Sequence, residues 1–385
     1  MEQNKNPKPK KPKMSSGSDS DSDPDATSSF EGVRRYRRGT FYPARIGECV
    51  QSWRIQSKLG FGRFSTVWAC VDKAQPASHE PTHALKVCRS DDSGWRDEVE
   101  NLSKIGAHPC VVRMLGSFEV RAGKRAYGCV VTSLHGQSLA QLVKRGVELE
   151  HETLLGIARD AAAGLAHVHA AGFVHTDIKP ENVLLSPELS LALLGEPPNL
   201  RVYVSRRRGA CEVARPYAHV ARARARFGPG DFCVIADLGN AEPADAFPPE
   251  PGAIQATCYR APEVVLHLPH DARADVFGLG VVLYETSKRR FLVDIAGETE
   301  RENCVEHLAQ LRALLGPLPE WMLVAAQPVF TRDELTSKRD AEPDTLVPET
   351  DLGAVVREML ALDPRARMSA ADAADALARV DAMAP

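Results

Sequence analysis

The sequence predicts an α+β fold of two units, a small sheet-rich one followed by a larger, mainly helical one. Three observations carry that expectation. From Trp53 to Leu59 the side chains at 53, 55, 57 and 59 alternate with Arg54, Gln56 and Lys58, the period of a half-buried strand. A β-branched and apolar run, Thr66 to Val71, follows the Gly-rich stretch Gly60-Phe61-Gly62, so strand, turn and strand succeed one another. Beyond about residue 138 the period changes, and Leu154, Ala158, Ala161, Leu165 and Val168 recur at helical spacing along one face.

With 385 residues, 43% hydrophobic and 26% charged side chains and a formal net charge of −3, the chain has the composition of a soluble globular protein. Bulk charge marks no polyanion-binding role, so direct nucleic-acid binding is not expected. The longest apolar stretch, around Val276 to Tyr284, falls far short of the ~20 residues of a membrane helix, and the lysine-rich N-terminus lacks an apolar leader core. Neither membrane spanning nor secretion is expected. Nine cysteines, an odd number without a CxxC pair, speak against a disulfide framework or a zinc site and for a reducing compartment, cytoplasmic or nuclear.

Residues 1–33 contain almost no large apolar side chains. A Lys/Pro run ending at Lys13 precedes the Ser/Asp-rich stretch Ser15 to Asp25, and such a segment buries too little surface to offset its ordering entropy. A solvated tail is the simpler reading; a nuclear-import signal or a partner-binding arm is the other. The Ser-Asp repeats also suit acidophilic phosphorylation. Further strands are expected at Ala84 to Cys88 and Tyr127 to Thr132, with a short helix between them near Trp95 to Ile105. Helical spacings return at Asp275 to Thr286, Val305 to Leu315, Leu352 to Leu362 and Ala370 to Val380, with proline-rich connections that stop each one. Residues 187–230 interrupt this order as an insertion carrying Pro187, Pro197, Pro198, the Arg206 to Arg208 run and alternating Ala-Arg at 221–226. Solvated arginines on a surface loop are the plain reading, an acid-rich or nucleic-acid partner the alternative.

Four segments carry chemistry. Gly60 to Ser65 is either a tight β-turn or a loop whose backbone N–H groups approach phosphate oxygens that a Cβ would hold away. Because Thr66 to Val71 reads as a strand, a dinucleotide-type turn into a helix is disfavoured. Lys86, in Ala84-Leu85-Lys86-Val87, is either an edge lysine reaching for water or a cation aimed at phosphates and held by a carboxylate; Glu98 and Glu100 are the two candidates for that carboxylate. In His175-Thr176-Asp177-Ile178-Lys179-Pro180-Glu181-Asn182 an acceptor carboxylate, a lysine two residues on and an amide five residues on share one loop. That set can orient a hydroxyl, neutralise a transferring phosphoryl group and ligate magnesium. Asp237-Leu238-Gly239 places a second carboxylate at the end of the apolar run Cys233 to Ala236, where the glycine is expected to permit a sharp turn. Glu263 and Arg367 could form a buried structural pair.

In chain order from Leu59 to Arg367 these segments resemble a eukaryotic protein kinase. Several stretches are similar to the SR-protein kinases, a family of serine/threonine kinases: Gly39 to Gly47, Ser65 to Trp68, His175 to Leu185 and Ile235 to Ala241. The insertion sits where that family carries its spacer. The resemblance implies a two-lobed kinase fold with an extension at 34–52, a small lobe at 53–132, a hinge at 133–137 and a large lobe at 138–385. It implies that Leu59, Gly60, Phe61, Gly62, Arg63, Phe64, Ser65, Thr66 and Val67 cover ATP, with Ala84 in the same pocket. Lys86 would contact the α- and β-phosphates while paired with Glu98. Thr132 would be the gatekeeper residue, and the backbone from Ser133 to His135 would bond adenine. Asp177 would accept or orient the substrate hydroxyl, Lys179 would steady the γ-phosphate, and Asn182 and Asp237 would hold Mg2+. Glu263 and Arg367 would brace the large lobe.

The implied substrates are serine hydroxyls in Arg/Ser-rich, splicing-type proteins, and the implied state is a monomer. Glu298, Glu300, Glu302 and Glu306 are candidates to dock a basic substrate, unless they are a solvated helix face. Four departures stand out. Thr176 replaces the arginine that pairs with a phosphorylated activation loop, so that switch is missing and activity is not expected to require such phosphorylation. Ala256 stands where a threonine is expected, with Thr257 one place late. Ala261-Pro262-Glu263 differs from the Ser-Leu-Glu of SR-protein kinases. The Lys86-to-Glu98 spacing is short. A related kinase with a different consensus is the nearest alternative, and a pseudokinase scaffold binding partners through its insertion is the other; intact Lys86, Asp177, Asn182 and Asp237 oppose the scaffold.

Overall fold

Side chains on one face of its strands give the small lobe an apolar back, which the preceding chain covers. The computed structural model describes residues 36, 39–74, 82–195, 200–205, 209–213, 227–228, 230–246, 254–295, 297–336 and 350–383. The 1–33 tail, the Arg206 to Arg208 run and residues 221–226 lie outside them. Strands β1 (Cys49–Val50), β2 (Trp53–Phe61), β3 (Ser65–Asp72), β4 (His83–Cys88), β5 (Met114–Ala122) and β6 (Arg125–Ser133) form one antiparallel sheet in the order β1-β2-β3-β4-β6-β5. Helix α1 (Trp95–Ile105) connects β4 to β5.

The back of this sheet buries Ile55, Trp68, Cys70, Leu85, Val87, Tyr127, Cys129 and Val131 together with Tyr42 and Val50 from the extension. The extension is stitched down by polar bonds as well. Tyr127 Oη donates to Gly39 O (2.7 Å), and Ser90 N, in the loop ahead of α1, donates to Thr40 O (3.0 Å). Phe41 is fully buried beside them, a burial worth about 2–3 kcal/mol for a side chain of that size. The simple alternation expected along β2 breaks at Lys58, which is buried: the register with β3 shifts between Ile55 and Ser57 and again between Lys58 and Gly60, and the Lys58 ammonium lies 5.3 Å from the centre of the Phe61 ring.

In the large lobe α2 (Leu139–Arg145) and α3 (His151–Ala170) precede two short ribbons, β7 (Phe173–Val174) paired with β12 (Glu242–Pro243) and β8 (Val183–Leu185) paired with β11 (Cys233–Ile235). Between β8 and β11 lie α4 (Pro187–Leu194) and the hairpin of β9 (Leu200–Ser205) and β10 (Gly209–Val213). The 187–230 stretch is therefore not loop throughout. Ser186 caps α4 by accepting from Leu189 N, and Leu189 and Leu194 join the large core.

Helices α5 (Pro262–Val265), α6 (Arg273–Lys288), α7 (Glu300–Leu315), α8 (Glu320–Ala326), α9 (Arg332–Thr336), α10 (Asp351–Met359) and α11 (Ala370–Met383) complete the lobe. Residues 274–286 of α6 are all buried, as expected of a helix packed on every side. Helix α7 begins five residues before the apolar periodicity does, because Thr299 and Glu302 close a capping box around its first turn. Arg367 and Glu263, both without exposed side-chain surface, meet in a two-bond pair at 2.6 and 3.0 Å that ties the chain ahead of α11 to α5. Among the described residues no helix is long and apolar enough to cross a membrane, and Cys49, Cys70, Cys88, Cys110, Cys129, Cys233, Cys258 and Cys304 are free thiols.

Candidate active site

Lys86 reaches the cleft because β4 alternates. Leu85 and Val87 face the sheet's back, so Ala84 and Lys86 face the large lobe. On that same face Ala69, Ala84 and Leu134 are buried against Leu59 and Val67, giving a flat apolar surface of the kind a purine ring requires. Leu134 joins it although the sequence singled out only its neighbours, Ser133 and His135. Thr66 does not: it shares Trp68's face, and its Oγ1 accepts from Trp68 Nε1 at 3.0 Å. In the glycine-rich turn Gly62 N bonds Ser65 O (2.8 Å), Ser65 is buried, and Arg63 and Phe64 are exposed with the guanidinium stacked on the ring. A Cβ at Gly60 or Gly62 would meet nothing within 4 Å, so these glycines leave open space where a ligand could approach. After Thr132 the amides of Ser133 and Leu134 bond Arg113 O and Thr82 O. His135 Nε2 lies 2.9 Å from Ser133 Oγ, and burial pulls the imidazole's pKa down to about 4.

Lys86 Nζ donates to Glu98 Oε2 (2.8 Å) and to Asp237 Oδ1 (3.0 Å), joining β4, α1 and the turn after β11 at one ammonium. Glu98 and not Glu100 makes this pair; Glu100 is exposed and binds Lys104 on its own helix. Burial alone would lower the Lys86 pKa, but the two carboxylates outweigh it and hold the group charged. Lys86 in turn holds Asp237 below the usual carboxylate range, while burial raises Glu98 against the same cation.

The β8–β11 ribbon sets the large-lobe residues. Val183 faces Ile235, and Ala236 N donates to Asn182 O at 2.9 Å, so Asn182 and Asp237 emerge at the same end of the ribbon. Asn182 Nδ2 donates to Asp177 O (2.8 Å) and Asp177 Oδ2 (3.2 Å), and Lys179 Nζ donates to Asp177 Oδ2 at 2.6 Å. The sharp turn at Asp237 is made by the aspartate itself, with φ 63°, and not by Gly239. Thr176 is likewise left-handed at φ 68°. Each such residue costs roughly 1–2 kcal/mol against ordinary backbone.

Buried polar groups hold both. Asp275, fully buried on α6, accepts from His175 N (2.7 Å) and Thr176 N (2.9 Å) and lies 2.9 Å from His169 Nε2. His175 Nδ1 accepts from Asp177 N, so its Nε2 carries the proton that bonds Ala236 O at 3.1 Å. Thr176 Oγ1 donates to Asn240 O (2.8 Å), and Asn101 Nδ2 of α1 donates to Leu238 O (2.9 Å) and Ala241 O (2.8 Å). Sequence reasoning missed Asp275 and Asn101; an aspartate inside the apolar periodicity of α6 was the one available signal. Thr257 is exposed, and among the described residues no hydrogen bond joins its side chain to Asp177 or Lys179. A cleft of about 700 Å³ opens beside Asp177 and Lys179, bounded by α1, the 239–243 turn and residues 254–256.

A small-lobe ammonium clamped between two carboxylates, facing a loop that presents a carboxylate, a second ammonium and an amide, defines a phosphotransferase cleft. The chain matches the protein kinase domain over residues 53–200 and 227–377 and belongs to that family. It is 27% identical over 317 residues to the serine/threonine-protein kinase SRPK of Physarum polycephalum, covering 76% of this chain and 74% of that one. A serine/threonine protein kinase of Aspergillus fumigatus is 29% identical over 299 residues, covering 75% and 71%. The protein kinase dsk1 of Schizosaccharomyces pombe is 33% identical over 172 residues, covering 40% and 30%. The protein is a serine/threonine protein kinase, and its substrates are proteins.

Proposed function

We propose that the protein transfers the γ-phosphoryl group of MgATP to serine, less often threonine, in Arg/Ser-rich proteins, working as a monomer in the cytoplasm or nucleus. The observation that carries this reading is the meeting of Lys86, Glu98 and Asp237 opposite the knit loop of Asp177, Lys179 and Asn182. Asp177 Oδ2 is held by Lys179 and Asn182, which leaves Oδ1 to serve a substrate hydroxyl. That oxygen orients the hydroxyl and takes its proton as the new O–P bond forms and the bond to the β-phosphate oxygen breaks; no covalent enzyme intermediate is needed. Lys86 steadies the α- and β-phosphates and Lys179 the γ-phosphate.

The residues fit Mg2+, which prefers hard oxygen ligands: the Asp237 carboxylate is half exposed, and with Asn182 Nδ2 spent on Asp177, the Asn182 Oδ1 is left as a donor oxygen. When bound, the cation neutralises charge on the phosphoryl oxygens. Arg-rich substrates are supported by the acidic start of α7, where Glu300 lies 3.8 Å from Arg260 of the segment after Tyr259. Within that cluster Glu302 closes the helix cap, Glu306 accepts from Gln310 and Glu300 already lies beside Arg260, so a basic peptide would meet Glu298 first and would compete with Arg260 for Glu300. The Ala261-Pro262-Glu263 sequence favours the second reading, a related kinase with another consensus.

Phosphate transfer from ATP to an Arg-Ser peptide and to an acidic-consensus peptide separates the two. The first should be preferred ~10-fold or more in kcat/KM, and Asp177→Ala should lower transfer ~10²–10⁴-fold with the fold intact by circular dichroism. Equal or reversed preference would leave the kinase and remove the Arg/Ser substrate.

A further inference from the structure

Asn101 sits one helical turn after Glu98, at a position of α1 that is 8% exposed. A buried helix position in contact with an apolar cluster is ordinarily filled by an apolar side chain. Here the amide faces the segment that follows Asp237, and only its NH2 group can serve there, because both neighbours, Leu238 O and Ala241 O, are acceptors. Helix α1 thus holds the Asp237 turn at two places. Glu98 reaches Asp237 through Lys86, and Asn101 grips the carbonyls at either end of the 238–241 turn. From Thr176 a further bond reaches the same turn, its Oγ1 donating to Asn240 O.

We infer that Asn101 is a positioning residue whose amide fixes the 238–241 turn, and with it the Asp237 carboxylate, against α1. Without the two N–H donors, the left-handed Asp237 would lose one of the restraints on its conformation; Leu238 O would keep only Ala241 N, and Ala241 O would lose its bond to α1. The kinetic consequence rests on MgATP binding at Asp237; the structural one does not.

Asn101→Leu keeps the branched shape of the side chain at a larger volume and removes both donors. In nucleotide-free protein it should raise amide hydrogen exchange at residues 238–246 by ~10-fold or more. It should also lower kcat/KM for MgATP ~10- to 100-fold while the peptide KM changes less than ~2-fold. Thr176→Val should raise exchange in the same segment, and the double variant should show less than the product of the two single effects, since one turn is released by either change. Unchanged exchange at 238–246 in Asn101→Leu, even with a lowered Tm, would reduce Asn101 to a satisfied core amide and overturn the inference. If Asn101→Leu does not fold, native-state exchange of the unaltered protein in low denaturant decides. The slowest amides of α1 and of 238–246 should then open with one shared denaturant dependence, and separate openings would overturn the proposal. A kinase inactive with MgATP would fault the proposed phosphoryl donor, and the exchange measurement would still settle Asn101.

Discussion

Glu285 shows how far a single side chain departs from its ordinary chemistry. It is fully buried on α6, accepting from Tyr259 Oη (2.8 Å) and Leu292 N (3.3 Å). Burial pushes its carboxyl up to about 7, and these two bonds only partly offset that. A folded pKa above the unfolded one means that the native state keeps a proton the unfolded chain gives up. The stability linked to this group is therefore complete below about pH 4.5 and lost as pH rises through about 7. The shift corresponds to about 3 kcal/mol. Glu285→Gln should shrink the fall in urea-unfolding free energy between pH 5 and pH 8 by about that amount, and an unchanged fall would refute the assignment. Residues such as Asp177, Lys179 and Asn182 could be picked out beforehand because their chemistry lies in short spacing along one loop. Asp275 and Asn101 could not, since a buried aspartate or asparagine acquires its meaning from amides and carbonyls far away in the chain, 99 residues for Thr176 N and 137 for Leu238 O.

At the level of elements, periodicity located the strands and helices that bury one clean face and failed where another force set the boundary. Strand β5 escaped notice because Gly116 and Ser117 dilute its β-branched signal, yet its side chains alternate in exposure along its whole length. The start of α7 is set by a cap and not by apolar spacing. The burial of Lys58 follows from bulges that no alternation pattern contains. Between elements the Glu263–Arg367 pair is part of a four-bond tie: besides its two bonds to Glu263, Arg367 donates to Ala361 O and Arg273 O. Arg367→Met would strand the buried Glu263 carboxylate and should cost about 3–5 kcal/mol in chemical unfolding. A loss below about 1 kcal/mol would show that the pair is dispensable.

For the molecule as a whole, the two lobes meet through side-chain ties at the cleft, and none of them uses an arginine placed to pair with a phosphate. Thr176, where a phosphate-pairing arginine would otherwise stand, is occupied in holding Asn240 O, and Lys86, Glu98 and Asp237 are in register. Rates before and after exhaustive phosphatase treatment should therefore agree, and a large loss on treatment would contradict this. The two-unit architecture was readable from the change of period between the lobes. What covers the sheet was not, because the extension has no periodicity of its own and is identified only by what it touches.

Residues 39–44 run across the back of the sheet and fasten the loop ahead of α1, the helix that carries Glu98. The next residue, Arg45, is exposed. A trypsin cut there would leave every residue of the cleft chemically intact while severing the strap from the sheet it covers, and the anchorage of the loop that leads to Glu98 would weaken with it.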